Sequence, residues 1–118
     1  MDIRELALQA DLKLLLGPAA SGAVARLYSS NTMSDLIANA SPDTLLLTAL
    51  NNAQLIRVAE LMDAPAICLV EGALPCAELL AGAERARMAI LVSPRDLEAT
   101  RLKLESCLRR PLAGATGP

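Results

Sequence analysis

Polar residues stand directly after three apolar segments of the chain, where they could meet a ligand. Asn51-Asn52 follow the first segment, Glu71-Gly72 the second, and Ser93 the third. Asparagine amides both donate and accept hydrogen bonds, and glycine lets backbone approach a ligand closely. The carboxylate of Glu71 would repel a phosphate and better suits a ribose hydroxyl, an amine or a partner's basic side chain. The candidate ligand-binding residues are Thr48, Asn51, Asn52, Glu71, Gly72 and Ser93.

The same residue types have a simpler explanation, because asparagine and serine are preferred helix caps and glycine suits a turn with positive φ. Each of the three loops leads into a predicted helix, whose free backbone N–H groups and dipole favour an anion. A shared location favours the ligand site, since the carboxyl ends of parallel strands form the usual ligand-binding edge of an open α/β sheet. Capping and ligand binding both remain open at this point.

Catalysis is disfavoured by what the chain lacks. It contains no histidine, so the usual general base, metal ligand and nucleophile partner are missing. Neither glycine-rich phosphate-binding pattern, G-x-x-x-x-G-K-[ST] or G-x-G-x-x-G, occurs. The carboxylates of Asp35, Asp43 and Asp96 show no distinctive spacing, and Lys103 is expected to face solvent. We therefore predict a protein that is not an enzyme, with no catalytic residue and no cofactor.

The three cysteines, Cys68, Cys76 and Cys107, form no C-x-x-C pair. Without histidine, a metal site would need all of these thiolates and a carboxylate as well. Free thiols in a reducing compartment are the simpler expectation, so we predict no metal site. Cys76, which follows Pro75 near a predicted helix start, is the thiol best placed for reactivity.

Short apolar segments predict five strands, at residues 12–16, 23–28, 44–48, 66–70 and 88–92. A helical pattern follows each of the last three, which favours parallel strands joined by right-handed crossovers. The segment Ser93-Pro94-Arg95-Asp96 is typical of a helix start, with the hydroxyl of Ser93 as the cap. The predicted fold is a single three-layer α/β domain, with a mostly parallel sheet of about five strands flanked by helices.

The amino-acid composition limits the kinds of core and of binding partner that the chain can have. Hydrophobic residues make up 53% of the 118 residues, yet Tyr28 is the only aromatic one, so the core must be aliphatic. A net charge of -2 and the lack of stacking aromatics exclude a nucleic-acid binder.

The apolar runs are too short to cross a membrane, and acids at the N-terminus are unlike a signal peptide, so we predict a cytoplasmic protein. Residues 1–110 are expected to form the domain and residues 111–118 a flexible tail.

Several stretches together carry a family resemblance: residues 33–40, 43–48, 51–59 and 66–72, followed by the helix start at Ser93. In them the chain resembles a stand-alone variant of the DRTGG domain, whose fold is similar to the N-terminal domain of HPr kinase/phosphorylase. Asn51-Asn52 stand where that family has its Asp-Arg pair, and Glu71-Gly72-Ala73 where it has Thr-Gly-Gly. Only the central glycine is kept. The resemblance implies a non-catalytic regulatory or assembly module that often self-associates.

Two functions remain in competition. The first is a regulatory module that binds a nucleotide-like or small polar ligand at the strand-end edge. The second is a protein-interaction or oligomerisation module without a small ligand, expected as a homodimer or higher homo-oligomer. The mean hydropathy of +0.39 favours the second, because it suggests more apolar surface than a small monomer hides. Leu102, off the main apolar face of its helix, and Leu50, in a polar loop, are expected to contribute to that surface.

Overall fold

Strands and helices alternate along the part of the chain that the computed structural model describes, which comprises residues 2–16, 23–39 and 41–109. The helices are α1 (Ile3–Gln9), α2 (Met33–Asn39), α3 (Ala53–Leu61), α4 (Ala77–Ala86) and α5 (Leu97–Arg109). The strands are β1 (Lys13–Leu16), β2 (Arg26–Ser29), β3 (Thr44–Thr48), β4 (Ala66–Leu69) and β5 (Ala89–Val92). The predicted tail, residues 111–118, lies outside the described residues.

The strands form one sheet in the order β1-β5-β4-β3-β2. Strands β2 to β5 are parallel, and β1 joins the other end of the sheet antiparallel to β5. Every residue of the inner strands β3, β4 and β5 is buried, because helices cover both faces of the sheet. The sheet confirms the predicted three-layer, mostly parallel α/β architecture.

Alternation along each inner strand divides the core between two faces. Leu45 and Leu47 of β3 pack into a cluster with residues of α1 and α5, whereas Leu46 packs into a second cluster with α2, α3 and α4. On the second face, α3 and α4 approach closely, since a Cβ added to Gly82 would lie 3.2 Å from the side chain of Ile56. The glycine lets these two helices pack side by side over the sheet.

Two predicted helix starts lie too early in the sequence. Helix α4 begins at Ala77 rather than near Pro75. Helix α5 begins at Leu97, and its first turn is capped by Asp96, whose Oδ1 accepts from the N–H of Ala99 at 2.7 Å. The prediction that Ser93 caps this helix is therefore wrong. Its N–H instead donates to the carbonyl of Leu69 at 2.8 Å and so continues the pairing of β5 with β4.

The apolar surface differs in part from the expectation. Leu102 is 51% exposed, as predicted from its position off the inner face of α5. Leu50 is half-buried against the cluster under α2, α3 and α4, so it adds little to the surface. Lys103 is exposed, as expected. Among the described residues, no helix is long and apolar enough to span a membrane.

Candidate functional site

The polar candidates come together because β3, β4 and β5 are neighbours in the sheet and run in the same direction. Their carboxyl ends therefore meet at one edge. We call the three connections that follow them, residues 49–52, 70–76 and 93–96, the strand-end loops. All six candidate residues lie in these loops or at the last position of β3, as the sequence predicted.

Asn51 joins the first loop to the second. Its side-chain Nδ2 donates to the carbonyl of Leu74 at 2.7 Å, and its Oδ1 accepts from the N–H of Cys76 at 2.8 Å. The amide thus satisfies two backbone groups just ahead of α4. Asn51 is half-buried, and its hydrogen-bonding capacity is largely engaged within the protein. It positions the surface rather than presenting its amide to a ligand.

A tight turn at Glu71-Gly72 joins the second loop to the third. Both residues have positive φ, 63° and 68°, as in a type I′ turn. The N–H of Glu71 donates to the carbonyl of Arg95 at 2.7 Å, and that of Gly72 to the carbonyl of Ser93 at 2.8 Å. A Cβ added to Gly72 would meet nothing within 4 Å, so the backbone conformation, and not lack of space, favours glycine there.

Four backbone donors of the second loop are engaged within the protein. Beside those of Glu71 and Gly72, the N–H of Ala73 donates to the carbonyl of Val70 at 3.2 Å. The N–H of Cys76 is taken by Asn51. These four donors precede α4, and the cap residue of that helix, Cys76, makes no side-chain hydrogen bond to its first turn. The four donors therefore hold the loop in place and are not available to an anion.

The hydroxyls of Thr48 and Ser93 point into the protein, and both residues are buried. Thr48 Oγ1 accepts from the N–H of Leu50 at 3.0 Å. Ser93 Oγ lies 2.7 Å from Thr100 Oγ1 and accepts from the N–H of Arg95 at 3.2 Å. These two candidates hold the ends of β3 and β5 in place. A ligand at the surface would not reach them without a rearrangement.

Sequence reasoning missed Asn31, which belongs to the same network. Its Oδ1 accepts from the N–H of Ala49 at 2.8 Å and lies 3.4 Å from the hydroxyl of Thr48. Asn31 follows β2, the next strand of the sheet, so it extends the linked edge by one more connection. The available signal is the polar tract Ser29-Ser30-Asn31-Thr32, which follows the strand predicted at residues 23–28.

Three of the candidates do reach the surface: Asn52, Glu71 and Gly72 are exposed. Asn52 is also the cap of α3, because its Oδ1 accepts from the N–H of Leu55 at 3.3 Å. Capping engages the oxygen of the amide and leaves its nitrogen without a role in the cap. Capping and surface presentation therefore coexist at Asn52.

The exposed charge of the strand-end loops is negative. Glu71 and Asp96 are both exposed carboxylates. The nearby guanidinium of Arg95 is directed elsewhere, since its Nη1 donates to the carbonyl of Ala10 at 3.2 Å and its Nη2 lies 3.6 Å from Asp11 Oδ2. This arrangement disfavours a phosphate and favours hydroxyl or amine donors, in line with the expectation for Glu71.

None of the three cysteine thiols is fully exposed at this surface. Cys68 and Cys107 are buried and Cys76 is half-buried at the start of α4, and all three are free cysteines. Burial raises the pKa of Cys68 to about 12, so its thiol stays protonated at neutral pH. Within the described residues, no group of three or more His, Cys, Asp or Glu side chains could hold a metal ion.

Comparison with known proteins identifies a related fold. No protein-family model matches the chain, and no curated protein matches it. Among solved structures, the chain is similar to the CBS and DRTGG domains of the regulatory region of Clostridium perfringens pyrophosphatase, solved with its activator diadenosine tetraphosphate. The TM-score is 0.63 at 11% sequence identity, over 88% of this chain.

This chain spans 46% of that solved chain, which is less than half of its length. The likeness supports the DRTGG-like α/β fold expected from the resemblance. At this low identity it shows the fold alone and does not place the chain in the family. The structural neighbour is a regulatory region and not a catalytic one.

Proposed function

We propose that the chain is a non-catalytic regulatory module that binds a nucleotide-like or other small polar ligand on the strand-end loops. The observation that carries the proposal is the linking of these loops into one surface by Asn51 and by the Glu71-Gly72 turn. Three separate connections held in fixed register form a preorganised surface, and preorganisation lowers the entropic cost of binding. The fold shared with a nucleotide-regulated region supports the same function.

The ligand group that meets this surface is a donor, such as a ribose hydroxyl, a base amino group or an amine. Glu71 supplies an exposed carboxylate, which accepts hydrogen bonds and repels phosphate. Asn52 supplies a donor, the amide nitrogen that the cap of α3 leaves unused, and this donor suits an acceptor of the same ligand such as the oxygen of a ribose hydroxyl. Any phosphate of a nucleotide would extend away from Glu71. We therefore expect an unphosphorylated nucleoside to bind at least as tightly as its triphosphate.

A regulatory role without catalysis is supported by the chemistry of the same surface. The buried hydroxyls of Thr48 and Ser93 and the amide of Asn51 are engaged in holding the loops. A sequence without histidine offers no ordinary base to activate a nucleophile. We also propose a cytoplasmic location, because free thiols such as those of Cys68 and Cys107 persist in reducing compartments.

Thermal unfolding of the full chain against adenosine, ATP, diadenosine tetraphosphate and spermidine tests the ligand proposal. A ligand at 100 times its Kd stabilises by about 2.7 kcal/mol. For a chain of 118 residues that corresponds to a rise in Tm of roughly 10 °C. If none of these compounds raises Tm at millimolar concentration, the strand-end loops do not bind this class of ligand.

The variant Glu71→Gln locates the binding. Removing its charge should weaken adenosine or spermidine several-fold and strengthen ATP, because repulsion of the phosphates is relieved. Glu84→Gln is the matched control, since Glu84 is an exposed carboxylate on the last turns of α4. Equal effects of the two variants would show that any binding lies elsewhere on the molecule.

A second candidate function is favoured by the apolar surface. Leu8, Leu61 and Leu74 are 81%, 82% and 76% exposed, although they lie on different elements. Leucines scattered singly do not define an interface, but the mean hydropathy of +0.39, high for so small a chain, favours a macromolecular partner such as a second copy. We propose that the chain self-associates as a homodimer. Sedimentation equilibrium at micromolar concentrations tests this, and a strict monomer would contradict it.

A further inference from the structure

The two edges of the sheet differ in how well they could accept another strand. At one edge, β1 begins with Lys13 and its pairing with β5 shifts register between Leu14 and Leu16. Lysines and bulges are devices by which proteins protect an edge from pairing. At the other edge, β2 (Arg26–Ser29) pairs with β3 in unbroken register and contains neither lysine nor proline. Of the two edges formed by the described residues, the β2 edge is the more regular and the better suited to continue the sheet.

The backbone groups of β2 are divided between the two sides of the strand. The N–H of Arg26 donates to the carbonyl of Asp43 at 3.0 Å, and that of Ser30 to Leu47 at 3.0 Å. In a parallel ladder, alternate residues face the same neighbour. Leu27 and Ser29 therefore direct their N–H and C=O groups away from β3, where the described residues provide no strand.

We propose that β2 pairs antiparallel with β2 of a second copy of this chain, about a two-fold axis that passes between the two Tyr28 residues. This register makes Leu27 and Ser29 of opposite copies hydrogen-bonded partners, so every outward-facing backbone group of the strand is satisfied. The two five-stranded sheets then form one continuous sheet. The inference deepens the second candidate function and is independent of the ligand proposal.

The axis places the only aromatic residue of the chain against its own copy. Tyr28 is half-buried, and it lines a cleft of about 350 Å³ together with Ala38 and Asn39 of α2. On the opposite face of β2 lies a second cleft of about 370 Å³, lined by Leu27 and Leu108 among others. Space beside the strand on both faces gives room for the side chains of a partner strand. Directly opposed aromatic residues on adjacent strands attract one another.

Charge complementarity supports a second copy as the occupant. In this register, Arg26 lies opposite Ser30 of the other copy, on the same face of the sheet as Tyr28. Ser30 donates its hydroxyl to Asp35 Oδ2 at 3.3 Å, so a carboxylate stands beside that position. Arg26 has a side chain 73% exposed, although it also pairs with Asp43. The two-fold repeats this attraction on both sides of the axis and brings no like charges into opposition.

Cysteine cross-linking of the full chain tests the register directly. Residues at position 28 of the two copies form a non-hydrogen-bonded pair with Cα atoms about 4.5 Å apart, within disulfide range. Tyr28→Cys should therefore give a covalent dimer under mild oxidation. Ser29→Cys is the matched control, because residue 29 faces residue 27 of the other copy, and it should stay at the level of the wild-type chain. Equal cross-linking by both variants would overturn the proposed register.

Sedimentation then tests the hydrogen bonds. Ser29→Pro removes the outward N–H and leaves the bonds to β3 in place, so the dimer Kd should rise at least ten-fold. Ser29→Ala keeps the N–H and should leave the Kd within two-fold of wild type. A wild-type chain that is monomeric at 100 μM would overturn the proposal. A second combination of results would also overturn it: the Ser29→Pro variant dimerises as well as the wild type, and the separate Tyr28→Cys variant forms no covalent dimer. Those two results together would mean that the dimer uses another surface.

Discussion

The strand-end loops and the outer edge of β2 use their polar groups in opposite ways. In the loops, side chains such as Asn51 and the backbone donors of the Glu71-Gly72 turn bind to neighbouring loops. Along β2, the backbone of Leu27 and Ser29 faces outward without a strand to pair with in the described part of the chain. The polar groups of the loops are thus hydrogen-bonded within the chain and hold the loops together. The outward backbone groups of β2 are instead open to hydrogen bonds with another strand.

This difference separates two kinds of recognition. In the proposed function, the rigid loop surface selects a small ligand through two of its exposed groups, Asn52 and Glu71. An open strand edge selects another strand, and the side chains on its two faces determine which strand fits. One small domain can therefore hold a ligand surface and an assembly surface on different sides of its sheet. Substitutions that affect one surface should leave the other unchanged.

The largest effect is expected for Asn51→Ala. The substitution removes both hydrogen bonds that join the first loop to the second, at 2.7 and 2.8 Å. It leaves the carbonyl of Leu74 and the N–H of Cys76 without that partner, so the free energy of unfolding should fall by about 2–3 kcal/mol. Urea denaturation measures it. The control is Asn39→Ala, because Asn39 is exposed and donates only within its own helix, to Asp35.

A loss of less than about 1 kcal/mol for Asn51→Ala, similar to that of Asn39→Ala, would contradict the linked-loop description. The dimer offers a second comparison. Asn51 takes no part in the proposed pairing of β2 with β2 of a second copy. Under conditions where the Asn51→Ala variant remains folded, its dimer Kd should therefore equal that of the wild type.

An intermediate effect is expected at the start of α5. Asp96→Ala removes the side chain that caps the helix through the N–H of Ala99 at 2.7 Å, and should cost about 1 kcal/mol. Asp96→Asn retains a capping oxygen and should restore most of that stability. Thermal or urea unfolding of both variants measures the difference. Equal losses for the two variants would indicate that the negative charge, and not the cap, stabilises the helix start.

The sequence predicted the elements well where local pattern decides them. The strand at residues 44–48 was predicted with its observed bounds, Thr44–Thr48, because a strand buried on both faces forms a short, continuous apolar run in the sequence. The spacing of Ile3 and Leu6 is likewise typical of one face of a helix, and both residues are fully buried on the inner face of α1. The placement of the candidate site at one sheet edge followed from the same strand-helix order.

What the sequence did not predict depends on distant contacts. The start of α4 was placed near Pro75, but Asn51, 25 residues before Cys76, holds the N–H of Cys76 ahead of the helix. Ser93 resembles a cap locally, yet pairing with Leu69 keeps it in the sheet. Likewise, no local pattern marks β2 as an edge strand, because that position follows only from the order of all five strands.

The smallest change in stability is expected for Ser29→Ala, a substitution on the β2 edge. Ser29→Ala removes a half-exposed hydroxyl and keeps the backbone, so the unfolding free energy of the dilute chain should change by less than about 0.5 kcal/mol. Hydrogen exchange adds the positive observation. In dilute protein the amides of Leu27 and Ser29 should exchange rapidly, whereas that of Ile67 in the inner strand β4 should be protected.

Raising the protein concentration should then slow exchange at Leu27 and Ser29 alone, because pairing with a second copy engages both N–H groups. The strand-end amides of Glu71 and Gly72, already bonded within the chain, should keep the same exchange rate at every concentration. Protection of Leu27 and Ser29 in dilute monomer would mean that the edge is already covered within one chain. Concentration-dependent protection at Gly72 instead would assign assembly to the strand-end loops and reverse the roles of the two surfaces.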